Sequence, residues 1–506
     1  MRATTHRWRN LSVIALVPCL LALAGCTRFG SNLSRPEDPL VFDGSAVPKL
    51  IGATIPSIVG FAWDGKAWQQ IPVQVDERDL VNPGKILNWP TANWPKNADG
   101  TNFTILAYTM PATASAGYAA MSPTYTGTDS DPLFDANDQV SFLSNDAGEQ
   151  VPPITAAPAN TVAGVREEVK ATDPLNTVGV GYVYLFESNR ASLTGGSAGT
   201  DGVSYNFSLD SGAYEATYKM GTSSLAPNNV AGLNPEHSTV TTAAYSISYG
   251  DRWLNNGATI AGGTPTGTSM LERGRVQFAP GNCGRSEDTF DGTVTSPYEG
   301  AFIANISGPV RAIRSYMGAN SGTFTAETDI FYPHREDSTT DLRVHSIPSI
   351  MGFDDFNTAV AGMKYSDDQN TGVPIDGVPD TIVAGHAALW QMVSGPAGSM
   401  VTTHNIATNI TGLAVSTYYL DQKPASPAPC TGDRAAWGQN GIRIDGPGGT
   451  IPCTDPTHSE CPAGVVKTFS STRYRYYEPP NLPPSLAATF ATRALSPFTV
   501  TVTDLT

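Results

Sequence analysis

Charge is scarce in this 506-residue chain: Asp, Glu, Lys and Arg make up 15% of it, against roughly 25% in average globular proteins. The charge present is one-sided, with 30 basic against 46 acidic side chains and a formal net of −16. No basic stretch reverses this locally, and an acidic surface repels phosphate backbones, so nucleic acid is not an expected partner. Several chemical signatures are also missing. There is no G-x-S-x-G elbow, HExxH, P-loop or dinucleotide glycine fingerprint, so common serine esterases, zincins and nucleotide enzymes lack support. Neither CxxC nor a histidine-pair spacing occurs, which leaves a zinc site unsupported, and without CxxCH ordinary c-type haem attachment is excluded. Long apolar runs are absent too. The longest, Leu11–Ala24, has 14 residues, too few to span a hydrocarbon core of about 30 Å.

That run has the length of a signal-peptide apolar region, and Arg2, Arg7 and Arg9 precede it. It ends at Leu23-Ala24-Gly25-Cys26, which resembles a bacterial lipoprotein export signal. The resemblance implies removal of residues 1–25 and acylation of Cys26 as the first mature residue, holding the protein on a membrane through more than one acyl chain. Thr27 in the following position, where an aspartate would retain many such proteins on the inner membrane, implies the outer membrane or cell surface. An ordinary secretory signal would leave Cys26 a simple thiol. Loss of the three arginines takes the net charge from −16 to −19. Residues 26–39 lack hydrophobic periodicity and are expected to form a tether.

Of the six cysteines, Cys283, Cys430, Cys453 and Cys461 lie beyond the signal. In an oxidising compartment they allow three disulfide pairings. Cys453 with Cys461 and Cys283 with Cys430 is the preferred set, stapling a Pro/Gly-rich loop at 423–464.

Short strand-like runs recur along the chain, including Ile71–Asp76, Gly181–Phe186, Ala301–Ile306, Val310–Tyr316, Thr323–Phe331, Asp341–His345, Thr472–Tyr477 and Phe498–Thr503. Only Asp380–Val393 and Ser485–Leu495 compete as helices. Abundant Gly, Pro, Ser, Thr and Asn supply turns between the strands. The expected fold is all-β, a β-sandwich or supersandwich body at 161–506 with a smaller N-terminal β module at 40–160. The stretch Gly308-Pro309-Val310-Arg311-Ala312-Ile313-Arg314, with the two strand-like runs after it, resembles the GPVR-type strand sequence of galactose-mutarotase-like supersandwiches. That superfold also serves polysaccharide lyases and other carbohydrate-active proteins, and fold alone transfers no catalytic residue.

Four constellations are candidates for chemistry. Strand periodicity places Asp341, Arg343 and His345 on one face at intervals of roughly 6.8 Å, with His334 in the preceding connection. An acid, a base and a cation converging there would suit proton abstraction beside a carboxylate; a solvated face with weak surface ion pairs is the simpler reading. Arg473, Arg475 and Tyr477 share a second face, where guanidinium and ring would hold a sugar. Trp63-Asp64-Gly65-Lys66-Ala67-Trp68 reads as a hairpin whose tryptophans either stack on sugars or pack in the core. The D-x-N-x-G opening at Asp368, Asn370 and Gly372, continued by Asp376 and Asp380, points to Ca2+, although Pro379 stands where an EF-hand has its glutamate. A lesser acidic cluster spans Asp129, Asp131, Asp135, Asn137 and Asp138. Together these features lead to a surface lipoprotein that binds extracellular carbohydrate, with a polysaccharide lyase or other glycan-processing enzyme as the rival and a non-catalytic envelope or adhesion component as the third reading.

Overall fold

The computed structural model describes residues 28–87, 89–97, 99–109, 119–120, 131–208, 236–251, 254–278, 301–319, 322–426, 435–461 and 466–505. Cys26, Cys283, Cys430 and Asp129 lie outside the described residues. The fold is all-β. A ten-stranded antiparallel sheet and an eight-stranded one dominate, joined by sheets of five, three and two strands.

The two large sheets pack face to face. One shared core brings Val240, Ile247 and Phe356 of the eight-stranded sheet onto Phe331, Val393 and Met400 of the ten-stranded one. A second brings Val276, Ile350 and Ile442 onto Phe302, Tyr316 and Phe469. Each such side chain contributes about 1.5–3 kcal/mol on leaving water. The helix Ala487–Leu495 lies on the outer face of the ten-stranded sheet. Its buried positions, Ala487, Phe490, Ala491 and Ala494, follow helical spacing and meet Trp390, Met392, Val401 and Tyr476.

The smaller module packs the three-stranded sheet on the five-stranded one, with Leu40, Val75, Val140 and Phe142 against Ile58, Ile71, Val169, Val183 and Leu185. Its extent differs from 40–160. Strands Glu167–Thr172 and Val180–Glu187 pair within its five-stranded sheet, and the last strand, Thr499–Asp504, returns to the edge at Glu167–Thr172. The low-complexity zone near 160 is a surface connection inside the module. From Arg28 onward the expected tether is docked too, since Leu33 and Arg35 are each 2% exposed. Arg35 is held by Asp173 at 2.9 Å and Asp38 at 3.2 Å, an ionic attachment that hydrophobic periodicity does not reveal.

The Gly308–Arg311 stretch is the joint between module and body. The Gln74 side-chain oxygen accepts from the backbone N–H of Val310 and Arg311 at 3.0 and 2.9 Å, and a Cβ on Gly308 would come within 2.1 Å of that same oxygen. Arg311 grips Asp76 through Nε at 2.9 Å and Nη2 at 2.6 Å. Two further expectations are corrected. The window Asp380–Val393 forms no helix: it is irregular until the strand Gln391–Gly395. The strand expected at Asp341–His345 lies earlier, at Arg335–Asp341, because its inward positions Glu336, Ser338 and Thr340 are polar and leave no apolar alternation to read.

Candidate metal centre

Strand Phe469–Glu478 presents Arg473, Arg475 and Tyr477 on one face, as the period of two requires, but that face looks into the sandwich. Arg475 donates to Glu336 at 2.8 Å and to Asp354 of the opposite sheet at 2.7 Å. The Tyr477 hydroxyl donates to Glu336 at 2.5 Å, and the Tyr249 hydroxyl, from the opposite sheet, at 3.1 Å. Arg473 lies 3.4 Å from Asp354 and donates to the Phe353 carbonyl at 3.2 Å. The expected sugar face is therefore an ionic layer tying two sheets together. Burial opposes ionisation of Asp354, yet Arg475 and Arg473 outweigh it and hold the carboxyl below its ordinary range. Burial, seconded by Arg473, pushes His404 down to about 3 and keeps it neutral. Beside His404 and Arg473 is a cavity of about 20 Å³, room for about one water and far short of a sugar.

The proton-abstraction set is not assembled. His334 precedes strand Arg335–Asp341 and Asp341 ends it, so roughly 20 Å of strand separates them. His334 stands 3.8 Å from Glu478; burial opposes its protonation, but the Glu478 carboxylate prevails and raises its pKa. Arg343 donates to the Phe324 carbonyl at 3.1 Å, and burial lowers its pKa against the pull of Asp341 and Asp455. His345 uses Nδ1 on the Ser346 carbonyl at 2.8 Å and faces the His458 ring, centroid to centroid 5.8 Å. The tryptophan hairpin forms as expected, with Trp63 paired to Trp68 across a turn whose Gly65 has φ +88. Its rings are partly buried against the module: Trp68 meets Tyr184 at 5.1 Å and Phe186 at 5.7 Å, and its Nε1–H donates to the Ala156 carbonyl.

The aspartate-rich loop regroups. Asn370 gives its amide to both oxygens of Asp367, at 3.0 and 2.9 Å, and accepts from the Val383 N–H. Asp376 accepts from Val378 N–H, an Asx turn, while Asp421 collects the N–H groups of Asp376 and Gly377 at 2.8 Å each. Asp380 is raised by burial and by the nearby charges of Asp421 and Asp376. Asp368, Asn370, Asp376 and Asp380 thus do not share one cage. Likewise Asp135 and Asp138 are spent on local N–H groups.

Instead Asp368 turns toward His386. Among the described residues, Asp367, Asp368 and His386 are the group of potential ligands whose donor atoms lie within 4.8 Å of one another. His386 Nε2 stands 3.2 Å from Asp368 Oδ1 and 3.6 Å from Asp367 Oδ2. Asp367 ends the short strand Lys364–Asp367 and is locked by Tyr365, whose hydroxyl donates to it at 2.8 Å and accepts from Gln391 at 3.0 Å. Such outer contacts orient a ligand before an ion arrives. Both ring nitrogens of His386 are shut off from solvent: Nε2 faces the two carboxylates, while Nδ1 has no hydrogen-bond partner among the described residues, which is costly unless something else satisfies it. An imidazole between two carboxylates suits a divalent ion of the zinc or manganese class better than calcium, whose preference is for oxygen alone. The D-x-N-x-G motif contains Asp368 but neither its neighbour Asp367 nor His386, a lone histidine 18 positions beyond Asp368.

No protein-family model matches the chain, and no curated protein matches it. Among solved structures, an Escherichia coli K12 protein described as a "Putative aldose 1-epimerase" is similar over 48% of this chain and 98% of its own, with 9% sequence identity and a TM-score of 0.22. A likeness that weak assigns no chemistry to this chain.

Proposed function

We propose that this chain is an envelope-anchored lipoprotein that binds extracellular carbohydrate, using a divalent ion held by Asp367, Asp368 and His386. One observation carries the metal reading: the His386 Nε2 is wedged between two carboxylates, 3.2 Å from Asp368 and 3.6 Å from Asp367, with the donor atoms of all three side chains within 4.8 Å of one another. The carbohydrate reading follows from what three protein ligands leave over. A divalent ion with three side-chain ligands keeps positions open, and the side chain of Asp368 is 34% exposed, so solvent reaches that edge. Vicinal hydroxyls or a carboxylate of a polysaccharide are bidentate oxygen donors of the kind that complete such a shell. The anchor reading rests on Leu23–Cys26.

The test is calorimetric titration of the metal-stripped, detergent-solubilised full-length protein with Zn2+, Mn2+ and Ca2+. Stoichiometric binding of Zn2+ or Mn2+ tighter than Ca2+ is expected, weakened at least tenfold in His386→Ala, and the loaded protein should be retained by a polysaccharide that fails to retain the stripped one. Absence of stoichiometric binding, or equal binding by His386→Ala, reduces the cluster to a His386–Asp368 ion pair. For the anchor, Cys26→Ala should move the protein from the membrane to the soluble fraction; unchanged retention with an unmodified mature N-terminal mass overturns lipidation.

A further inference from the structure

A groove of about 360 Å³ lies where the N-terminal segment meets the helix Ala487–Leu495, within the size range of small-molecule sites. The helix buries Phe490 and Ala491 against the sheet, which leaves Thr489, Thr492 and Arg493 along the groove. Opposite stand Ser34 and the 45% exposed Leu175. Arg35 lies among the lining groups and is 2% exposed. Its Nη groups are committed to Asp173, Asp38 and the carbonyls of Arg493 and Ser496, but its Nε–H has no acceptor among the described residues. A buried, charged donor left without an acceptor costs more than a neutral one. Arg493 has no ion-pair partner among the described residues either; its guanidinium lies over the Phe490 ring at 5.8 Å.

We infer that this groove binds a hydroxylated ring bearing an oxyanion, a hexuronate or a sugar phosphate. The oxyanion would accept from Arg35 Nε–H and pair with Arg493, charge-assisted contacts that exceed neutral hydrogen bonds in strength. The Ser34 and Thr492 hydroxyls already donate to Asp173 and to the Ala488 carbonyl and so would accept from ring hydroxyls, Thr489 adds a third hydroxyl, and Leu175 supplies an apolar patch for a sugar face. Asp173 and Asp38 share the charge of Arg35, and Arg493 balances the remaining carboxylate, so the anion is held by the directed contacts from Arg35 Nε–H and Arg493 and by no excess of positive charge. The groove shares no residue with the Asp367–His386 cluster, so it stands or falls apart from the metal reading.

Calorimetry on the full-length protein in detergent, with chelator present throughout, uses glucuronate, glucose 6-phosphate and glucose as probes. One or both anionic probes should bind at least tenfold more tightly than glucose, and the better of the two identifies the source of the oxyanion. Arg493→Gln should weaken that binding at least tenfold. Thr489→Asp, a substitution at an exposed helix position that places a like charge in the groove, should do the same without touching the fold, while His386→Ala should leave it unchanged. Equal affinity for glucose, no binding of any probe, or wild-type affinity in Thr489→Asp overturns the inference.

Discussion

At the scale of single residues, the interior of the sandwich is ordered by charge as much as by apolar contact. Arg314 is fully buried between Glu236 at 2.7 Å and Asp329 at 3.1 Å, with the Tyr249 ring 4.0 Å from its guanidinium carbon. Removing one partner from such a set leaves a naked buried charge, whereas the intact set is close to neutral in free energy. Glu327 is the member with weakest compensation: burial, then the charge of Asp329, raises its carboxyl to about 8. Its ordinary value of 4.5 applies in the unfolded chain, so between about pH 4.5 and 8 the folded protein keeps a proton that the unfolded one releases. Stability from this residue is therefore whole at low pH and lost as the pH rises toward 8. Glu327→Gln, which retains an acceptor for the Thr340 hydroxyl, should match the parent near pH 4.5 and melt at higher temperature than the parent at pH 8. Melting curves from pH 4.5 to 8.5 would decide it, and a parallel pH dependence in the two proteins would show that Glu327 is ionised in the fold.

At the scale of elements, legibility tracked how far each signal depends on distant partners. The Trp63–Trp68 hairpin needs only its own turn, where Asp64 accepts from the Lys66 and Ala67 N–H groups at 2.9 and 2.8 Å, and its DG dipeptide was enough. The helix at Ala487–Leu495 falls within the window Ser485–Leu495 expected to compete as helix. The Cys453–Cys461 disulfide, expected from proximity in sequence, is formed across a separation of eight. Period-two alternation also gave the correct face for Arg473, Arg475 and Tyr477. It could not give the face's environment, because Glu336 and Asp354 are 139 and 121 residues away from Arg475. The same limit explains strand Arg335–Asp341. Its inner positions are polar and face charged ones, Glu336 opposite Arg475 and Ser338 opposite Arg473, so a scan for apolar alternation passes it by. The GPVR stretch was noticed as a strand opening, whereas its position is explained by Gln74 and Asp76, more than two hundred residues earlier. His386 belongs with these cases, since only the folded loop brings it to Asp368.

At the scale of the whole molecule, these long-range contacts tie the two modules to each other. Among the fastenings that join them are Arg311 on Asp76, Gln74 on the backbone of Val310 and Arg311, Arg35 on the helix-end carbonyls of Arg493 and Ser496, and the last strand on the edge at Glu167–Thr172. The last can be removed without deleting a fully buried residue of either core. Strand Thr499–Asp504 pairs along six residues, packs half-buried Val500 and Val502 on the module's core, and places Lys49 2.7 Å from Asp504. The exposed ion pair adds little, while two half-buried valines at roughly 1 kcal/mol each and a ladder of hydrogen bonds at about 0.5–1.5 kcal/mol net each give a total of a few kcal/mol. Deleting residues 499–506 also leaves the Glu167–Thr172 edge unpaired, a template for association with other chains. The parent should melt in a single calorimetric transition. The truncated chain should show two, the earlier from the smaller module and concentration-dependent because the bare edge pairs between molecules. A single unshifted transition in the truncated chain would mean that the remaining contacts, those of Gln74, Arg311 and Arg35 among them, carry the coupling, and that the returning strand is a cover for the sheet edge with no part in holding the modules together.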